Sequence, residues 1–158
     1  MASLDFNPFH LLKGPWFCAM ITSWIVAQSI KMVRDYFHTR KLKLGYLMST
    51  GGMPSAHSSM ATAMFLSVGM TEGFCSATAM CAFGLTAFVL YDAAFIRRES
   101  GRQAEIINEM VEKLKQKQIR IRDIRLKELV GHTGREVLGG IATGTIVAYL
   151  VMWLWFLK

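Results

Sequence analysis

Two histidines, a glutamate and several cations lie in this 158-residue chain where apolar runs begin or end. His57 follows Pro54, Ser55 and Ala56, and His132 stands one helical turn before Glu136. Lys31 and Arg34 close one apolar run, and Asp92, Arg97 and Arg98 close another. Histidine titrates near neutral pH, so one ring can attack phosphorus while another protonates a leaving oxygen. A carboxylate one turn from the attacking ring can orient it. Lys and Arg bring charge and forked donors for phosphate oxygens. Helix starts at Ser55 and near His132 would point free N–H groups and positive dipole ends toward the same anion. Gly51 and Gly52 would let backbone approach it closely. The chemistry that these types suit together is phosphoryl transfer.

Each residue also has a simpler structural role. Ser55 suits a helix N-cap. Thr133 and Glu136 form a TxxE capping box, so Glu136 can close a helix end without touching a ligand. Lys31, Arg97 and Arg98 suit interface anchors that snorkel, and Lys31 taken alone reads that way. Asp92 lies in an apolar run, where a charge costs about 3 kcal/mol on insertion scales, so it is expected to pair with an arginine. His10 and His38 carry no expected role. The functional reading rests on all these groups meeting at one depth.

The elements that must position them are membrane helices. Apolar residues make up 53% of the chain and charged ones only 18%, with a net charge of +7 and a mean hydropathy of +0.32. A soluble domain would carry about a quarter charged residues. This composition argues against a disordered chain, a disulfide-stapled miniprotein and a soluble one-domain enzyme. The fold expected is an all-α integral membrane helical bundle, a single domain over 1–158 with four spans at about 14–33, 53–70, 74–96 and 137–157. A polar amphipathic helix at about 99–118, with Ile107, Met110, Val111 and Leu114 at helical spacing, is expected outside the hydrocarbon. No cleavable signal peptide is visible. Cys18, Cys75 and Cys81 are expected as small buried hydrophobes.

Four spans would put both termini on one side. Of the 18 Lys and Arg residues, only Lys13 and Lys158 fall there, so the positive-inside rule places the loops 34–52 and 97–135, and the candidate site, in the cytoplasm. The basic face would also attract anionic lipid headgroups. Nucleic acid is not expected as a partner, because the basic connector is mixed with acids and no recognition fold accompanies it. Gly140 and Gly144 allow helices to approach closely, and short spans would make a homodimer reasonable.

ProSerAlaHis at 54–57 resembles the Pro-Ser-Gly-His motif of the type 2 phosphatidic acid phosphatase and vanadium haloperoxidase superfamily. HisThrGlyArgGluVal at 132–137 resembles its His-x-x-x-Asp-Val motif. GGMPSAHS (51–58), YDAAFIRRESGRQAEIIN (91–108) and KELVGHTGREVLGG (127–140) resemble the divergent, YuiD-like branch of that superfamily, over about 25–144. The resemblance implies that His132 is the nucleophile forming a phosphohistidine, Glu136 its orienting carboxylate and His57 the general acid. It implies that Lys31, Ser55, the backbone near Ala56, and Arg97 or Arg98 hold phosphate oxygens, with no metal and no cofactor.

Three positions depart from the family pattern. Ala56 replaces its glycine. His38 stands where it has an Arg-Pro, so Arg34 or Arg40 would have to substitute. Arg125 and Leu126 stand where it has a Ser-Arg pair. The function implied is a metal-independent lipid phosphatase of the inner, or cell, membrane of a bacterium. Its phosphorylated lipid substrate would be phosphatidylglycerophosphate, phosphatidic acid or an isoprenyl phosphate. The alternatives are a catalytically silent phospholipid-binding protein and a vanadate-dependent haloperoxidase-like enzyme.

Overall fold

The computed structural model describes residues 14–40, 52–119, 125–126 and 131–157. His10, Gly51, the side chain of His38 and most of the connector after Gln118 lie outside the described residues. Among the described residues every regular element is helical. They are α1 (Pro15–Thr39), α2 (Ala56–Glu72), α3 (Ala77–Tyr91), a π-helical turn (Asp92–Ile96), α4 (Arg97–Gln116) and α5 (Gly134–Phe156).

Local chemistry sets the helix ends. Pro15 opens α1, where its fixed φ and missing N–H cost nothing. Arg40 closes α1 in the left-handed region and donates its N–H to Tyr36. Ser55 caps α2 by accepting the N–H of Ser58, and Ser76 caps α3 by accepting that of Ala79. Gly73, at φ +85°, breaks the chain between α2 and α3, a conformation that favours glycine.

α2 is the centre of the bundle and packs against α1, α3 and α5, while α1 also packs on α5. Small and hydroxyl residues make these contacts. The Ser23 and Ser59 hydroxyls share a hydrogen bond of 2.6 Å between α1 and α2, and Thr86 of α3 donates to the carbonyl of Ala61 at 2.9 Å. Ala63, Ser55, Ser58, Ser59 and Ser67 on α2 are fully buried. An apolar cluster of Val68, Ala79 and Ala82, with Trp16, Met64 and Phe65 against it, fills the end of the bundle away from His57. Large apolar side chains point outward instead, among them Phe83, Phe88, Leu138, Ile146, Tyr149 and Trp153. A polar, small-residue interior inside an apolar exterior is the arrangement that lipid demands, because helices there associate by close packing and hydrogen bonds. Among the described residues three helical stretches are long and apolar enough to cross a membrane: Pro15–Phe37, Ala77–Gln116 and Gly134–Phe156. α2, shorter and richer in serine, is not among them and is instead wrapped by its neighbours.

Two expectations change. The amphipathic helix is not a separate element, because α4 continues from α3 through the π turn as one helical stretch of 40 residues, about 60 Å long. The cysteines are not buried: Cys75 and Cys81 are exposed and Cys18 is half-buried. The three are dispersed along the outer part of the bundle, because the interior is already filled by Ser, Ala and Gly.

α5 lies closest to α2 at two glycines. A Cβ at 140 would stand 2.5 Å from the Ser55 carbonyl oxygen and 2.7 Å from the Ser58 Cβ, and one at 144 would strike the Ser59 backbone. Gly140→Ala should therefore cost about 1–3 kcal/mol through overpacking, read as a lower thermal midpoint in detergent. Gly84→Ala on α3, where a Cβ meets nothing within 4 Å, should leave that midpoint unchanged or slightly raised.

Candidate active site

The end of α1, the start of α2, the π turn after α3 and the start of α5 meet at one end of the bundle. Two backbone hydrogen bonds join them. The Ser55 N–H donates to the Glu136 carbonyl at 2.9 Å, tying the start of α2 to the first turn of α5. The His132 N–H donates to the Ala93 carbonyl at 3.1 Å, tying the π turn to the residue before α5. Gly131 makes the second tie possible. Its φ is +98°, and a Cβ there would stand 2.6 Å from the Arg98 nitrogen and 2.8 Å from the Arg97 carbonyl carbon. Farther along α4, Asn108 donates to the Leu126 carbonyl and accepts the Leu126 N–H, at 2.8 and 2.9 Å.

His132 is the most constrained of the candidate residues. It is 5% exposed, and its Nδ1 lies 3.2 Å from Glu136 Oε2. The same oxygen accepts the Thr133 N–H at 2.9 Å, and the Thr133 hydroxyl accepts the Glu136 N–H, completing the capping box. Glu136 therefore performs both roles open to it in the sequence, closing the helix and holding the ring. With Nδ1 engaged as the donor, Nε2 is the basic nitrogen, and it has no hydrogen-bond partner among the described residues. Burial pushes the His132 imidazole below the usual histidine value, the Lys31 and His57 charges add to this, and Glu136 opposes it. Burial thus favours the neutral form of the ring.

Lys31 stands opposite. It is 5% exposed, yet no described carboxylate lies within ion-pairing distance of its ammonium. The charges that reach it are those of Glu136, Asp35 and Arg34. It does not snorkel, because it continues the buried face of α1 formed by Ala19, Ser23 and Ala27. His57, exposed in the first turn of α2, feels the charges of Arg97, Lys31 and Asp92. Arg97 donates through Nε to Asp92 Oδ2 at 2.6 Å, the pairing expected of an intramembrane aspartate.

The remaining candidates are less central. Ser55 is fully buried and acts as a cap, its Oγ accepting from the Ser58 N–H and hydroxyl. Its own N–H is used by Glu136, so the N–H groups left without an intrahelical acceptor in this turn are those of buried Ala56 and of His57. Arg34 is exposed beside Asp35, and its guanidinium faces Gly52. Arg98 is exposed and contributes backbone to the Gly131 contact. Leu126 is held at Asn108, roughly 20 Å along α4 from Ala93 by helix rise.

The chain is similar to a known membrane protein. The family model described as the divergent PAP2 family matches residues 12–147, which include every candidate residue above. The chain belongs to the divergent PAP2 family. The membrane protein YuiD of Bacillus subtilis (strain 168), itself described as uncharacterized, is 33% identical over 144 residues, covering 80% of this chain and 87% of its own length. No solved structure matches the chain. This divergent PAP2 protein is accordingly a membrane protein with transmembrane helices.

Sequence reasoning missed the π turn and the Ala93 carbonyl that seats His132. It also missed the small-residue face at four-residue spacing, Ala19, Ser23 and Ala27, which marks Lys31 as buried. Gly131→Ala should destabilise the protein by about 1–3 kcal/mol, combining a strained φ with a backbone clash. Gly134→Ala, where a Cβ meets nothing within 4 Å, should be tolerated, and thermal midpoints of the two variants in detergent check both.

Proposed function

We propose that this protein is a metal-independent lipid phosphatase acting at the cytoplasmic leaflet of the cell membrane. It hydrolyses a phosphomonoester or pyrophosphate headgroup, of the phosphatidylglycerophosphate, phosphatidic acid or isoprenyl phosphate kind, through a phosphohistidine. The observation that carries this reading is a buried His132 held by Glu136 through Nδ1, with Nε2 open and a buried ammonium, Lys31, lacking a carboxylate partner among the described residues.

In the first step His132 Nε2 attacks phosphorus and the bond to the lipid oxygen breaks. Glu136 stabilises the positive charge that develops on the ring, as an oriented carboxylate does in other histidine-dependent sites. His57 gives its proton to the leaving lipid alkoxide. Lys31, Arg97 and the N–H groups of Ala56 and His57 neutralise the equatorial oxygens, so protein cations supply the stabilisation. In the second step the neutral His57 takes a proton from water, whose oxygen attacks the phosphohistidine. The P–N bond breaks, inorganic phosphate leaves and His132 returns to its neutral form. The concentration of basic residues on the loops flanking this end of the bundle supports the cytoplasmic placement.

His132→Ala should abolish phosphate release from a panel of lipid phosphates in mixed micelles, and His57→Ala should slow it about 10²- to 10⁴-fold. Wild-type turnover that survives both changes would refute the mechanism. The attacking ring must be neutral, and burial already favours that form. kcat/KM should therefore follow a bell, falling on the alkaline side as His57 loses the proton it must donate and on the acid side, below the ordinary histidine value of about 6.5, as His132 gains one. Because Glu136 favours the protonated ring, Glu136→Gln should move this acid limb to still lower pH while reducing the rate. A limb that moves upward would contradict the assignment.

A second reading, a catalytically silent phospholipid-binding protein, draws support from the connector. The position where the wider superfamily has its Ser-Arg pair is held at Asn108, far along α4 from His132. Tight binding of a phospholipid without phosphate release would select it.

A further inference from the structure

Residues five apart in an α-helix lie about 140° apart around its axis and cannot ordinarily pair. Asp92 and Arg97 are five apart and yet form an ion pair of 2.6 Å. The π turn makes this possible. Over Asp92–Ile96 the helix widens, and the Arg97 N–H donates to the Asp92 carbonyl, so the two residues stack one above the other. The carboxylate engages only Nε. Among the described residues neither Nη group of Arg97 has a hydrogen-bond acceptor, which leaves two donors of the fork for an anion.

The same turn touches both halves of the site. Asp92 and Arg97 are among the charges felt by His57. The Ala93 carbonyl holds the backbone of His132, and the backbone of Arg97 and Arg98 packs against Gly131. An unpaired arginine on a helix surface would sample many rotamers, and one anchored by Nε is fixed. A single widened turn therefore sets the nucleophile and one guanidinium in a common frame. The orienting carboxylate of His132 is Glu136, which leaves Asp92 engaged with Arg97.

We propose that Asp92 is a positioning residue: stacked under Arg97 by the π turn, it pins the guanidinium through Nε so that the Nη groups face the phosphoryl oxygens beside His57. This deepens the phosphatase reading and rests on it only for the identity of the substrate, since the pinned arginine would serve any tetrahedral oxyanion at this seat.

The test is a double-mutant cycle on the full-length protein in nanodiscs, with orthovanadate affinity measured by calorimetry and kcat/KM measured on a lipid phosphate. Asp92→Asn is expected to weaken vanadate binding at least tenfold. Arg97→Gln should weaken it as much or more, and the double variant should be no worse than Arg97→Gln, because Asp92 acts through Arg97. Asp92→Glu, which keeps a carboxylate, should recover part of the affinity. Vanadate affinity unchanged by Asp92→Asn, or effects that multiply across the cycle, would overturn the proposal. So would a wild-type protein that binds no vanadate. Wild type that binds vanadate but releases phosphate from no lipid would sink the phosphatase reading alone, and the affinity cycle would still decide the role of Asp92. Should Asp92→Asn fail to fold, Arg97→Lys with Asp92 intact carries the test: it keeps the charge and loses the fork, and unchanged vanadate affinity would count against the proposal.

Discussion

The backbones of α2 and α5 touch because positions 140 and 144 carry no side chain, and the rest of the site depends on that contact. It allows the Ser55 N–H to reach the Glu136 carbonyl, which locks the first turns of two helices together. Both starts then present free N–H groups at one level, His57 in one and the His132–Glu136 pair at the other. A methyl group at either glycine would separate the helices by a few tenths of an ångström or more, and groups meant to act on one phosphorus atom tolerate little such displacement. Gly140 and Gly144 are thus occupied within the chain, as the tightest seam of the bundle.

The second constraint is the low polarisability of the surroundings. A buried ammonium without a counterion is costly, and Lys31 has none among the described residues. The cost is bearable if the residue spends its working life next to an anion. Under the proposed mechanism His132 follows the same logic, because burial that disfavours imidazolium would keep the ring nucleophilic while Glu136 would meet the charge that forms during attack. Burial, a cation without a carboxylate partner among the described residues and a ring oriented by Glu136 are together what the proposed phosphoryl transfer would ask of its protein.

Much of this was legible in the residues. Helix boundaries follow from Pro15, Ser55, Ser76 and Thr133, and the TxxE box at Thr133 and Glu136 forms as its spacing implies. The meeting of Lys31, His57, Arg97 and His132 at one end of the bundle follows from their places at the ends of apolar runs. What could not be read was fine registration. Nothing in TyrAspAlaAlaPheIleArg betrays a π turn, because its signal is a pairing of Asp92 with Arg97 that only the widened helix permits. The absence of Gly or Pro between α3 and α4 was compatible with a continuous helix, but the change from apolar to charged residues at Arg97 suggested a boundary. Lys31 taken alone reads as an anchor, because a lone lysine at a span's end usually snorkels, and its burial shows only when its small neighbours one and two turns back are counted as a packing face.

The most direct test of the central claim is to trap the covalent intermediate. Purified protein mixed with a lipid bearing a ³²P-labelled phosphate and quenched in alkali within one turnover should carry label that is stable to base, labile to acid and confined to the peptide containing His132. Phosphate release without such label, or label on any other residue, would contradict the account.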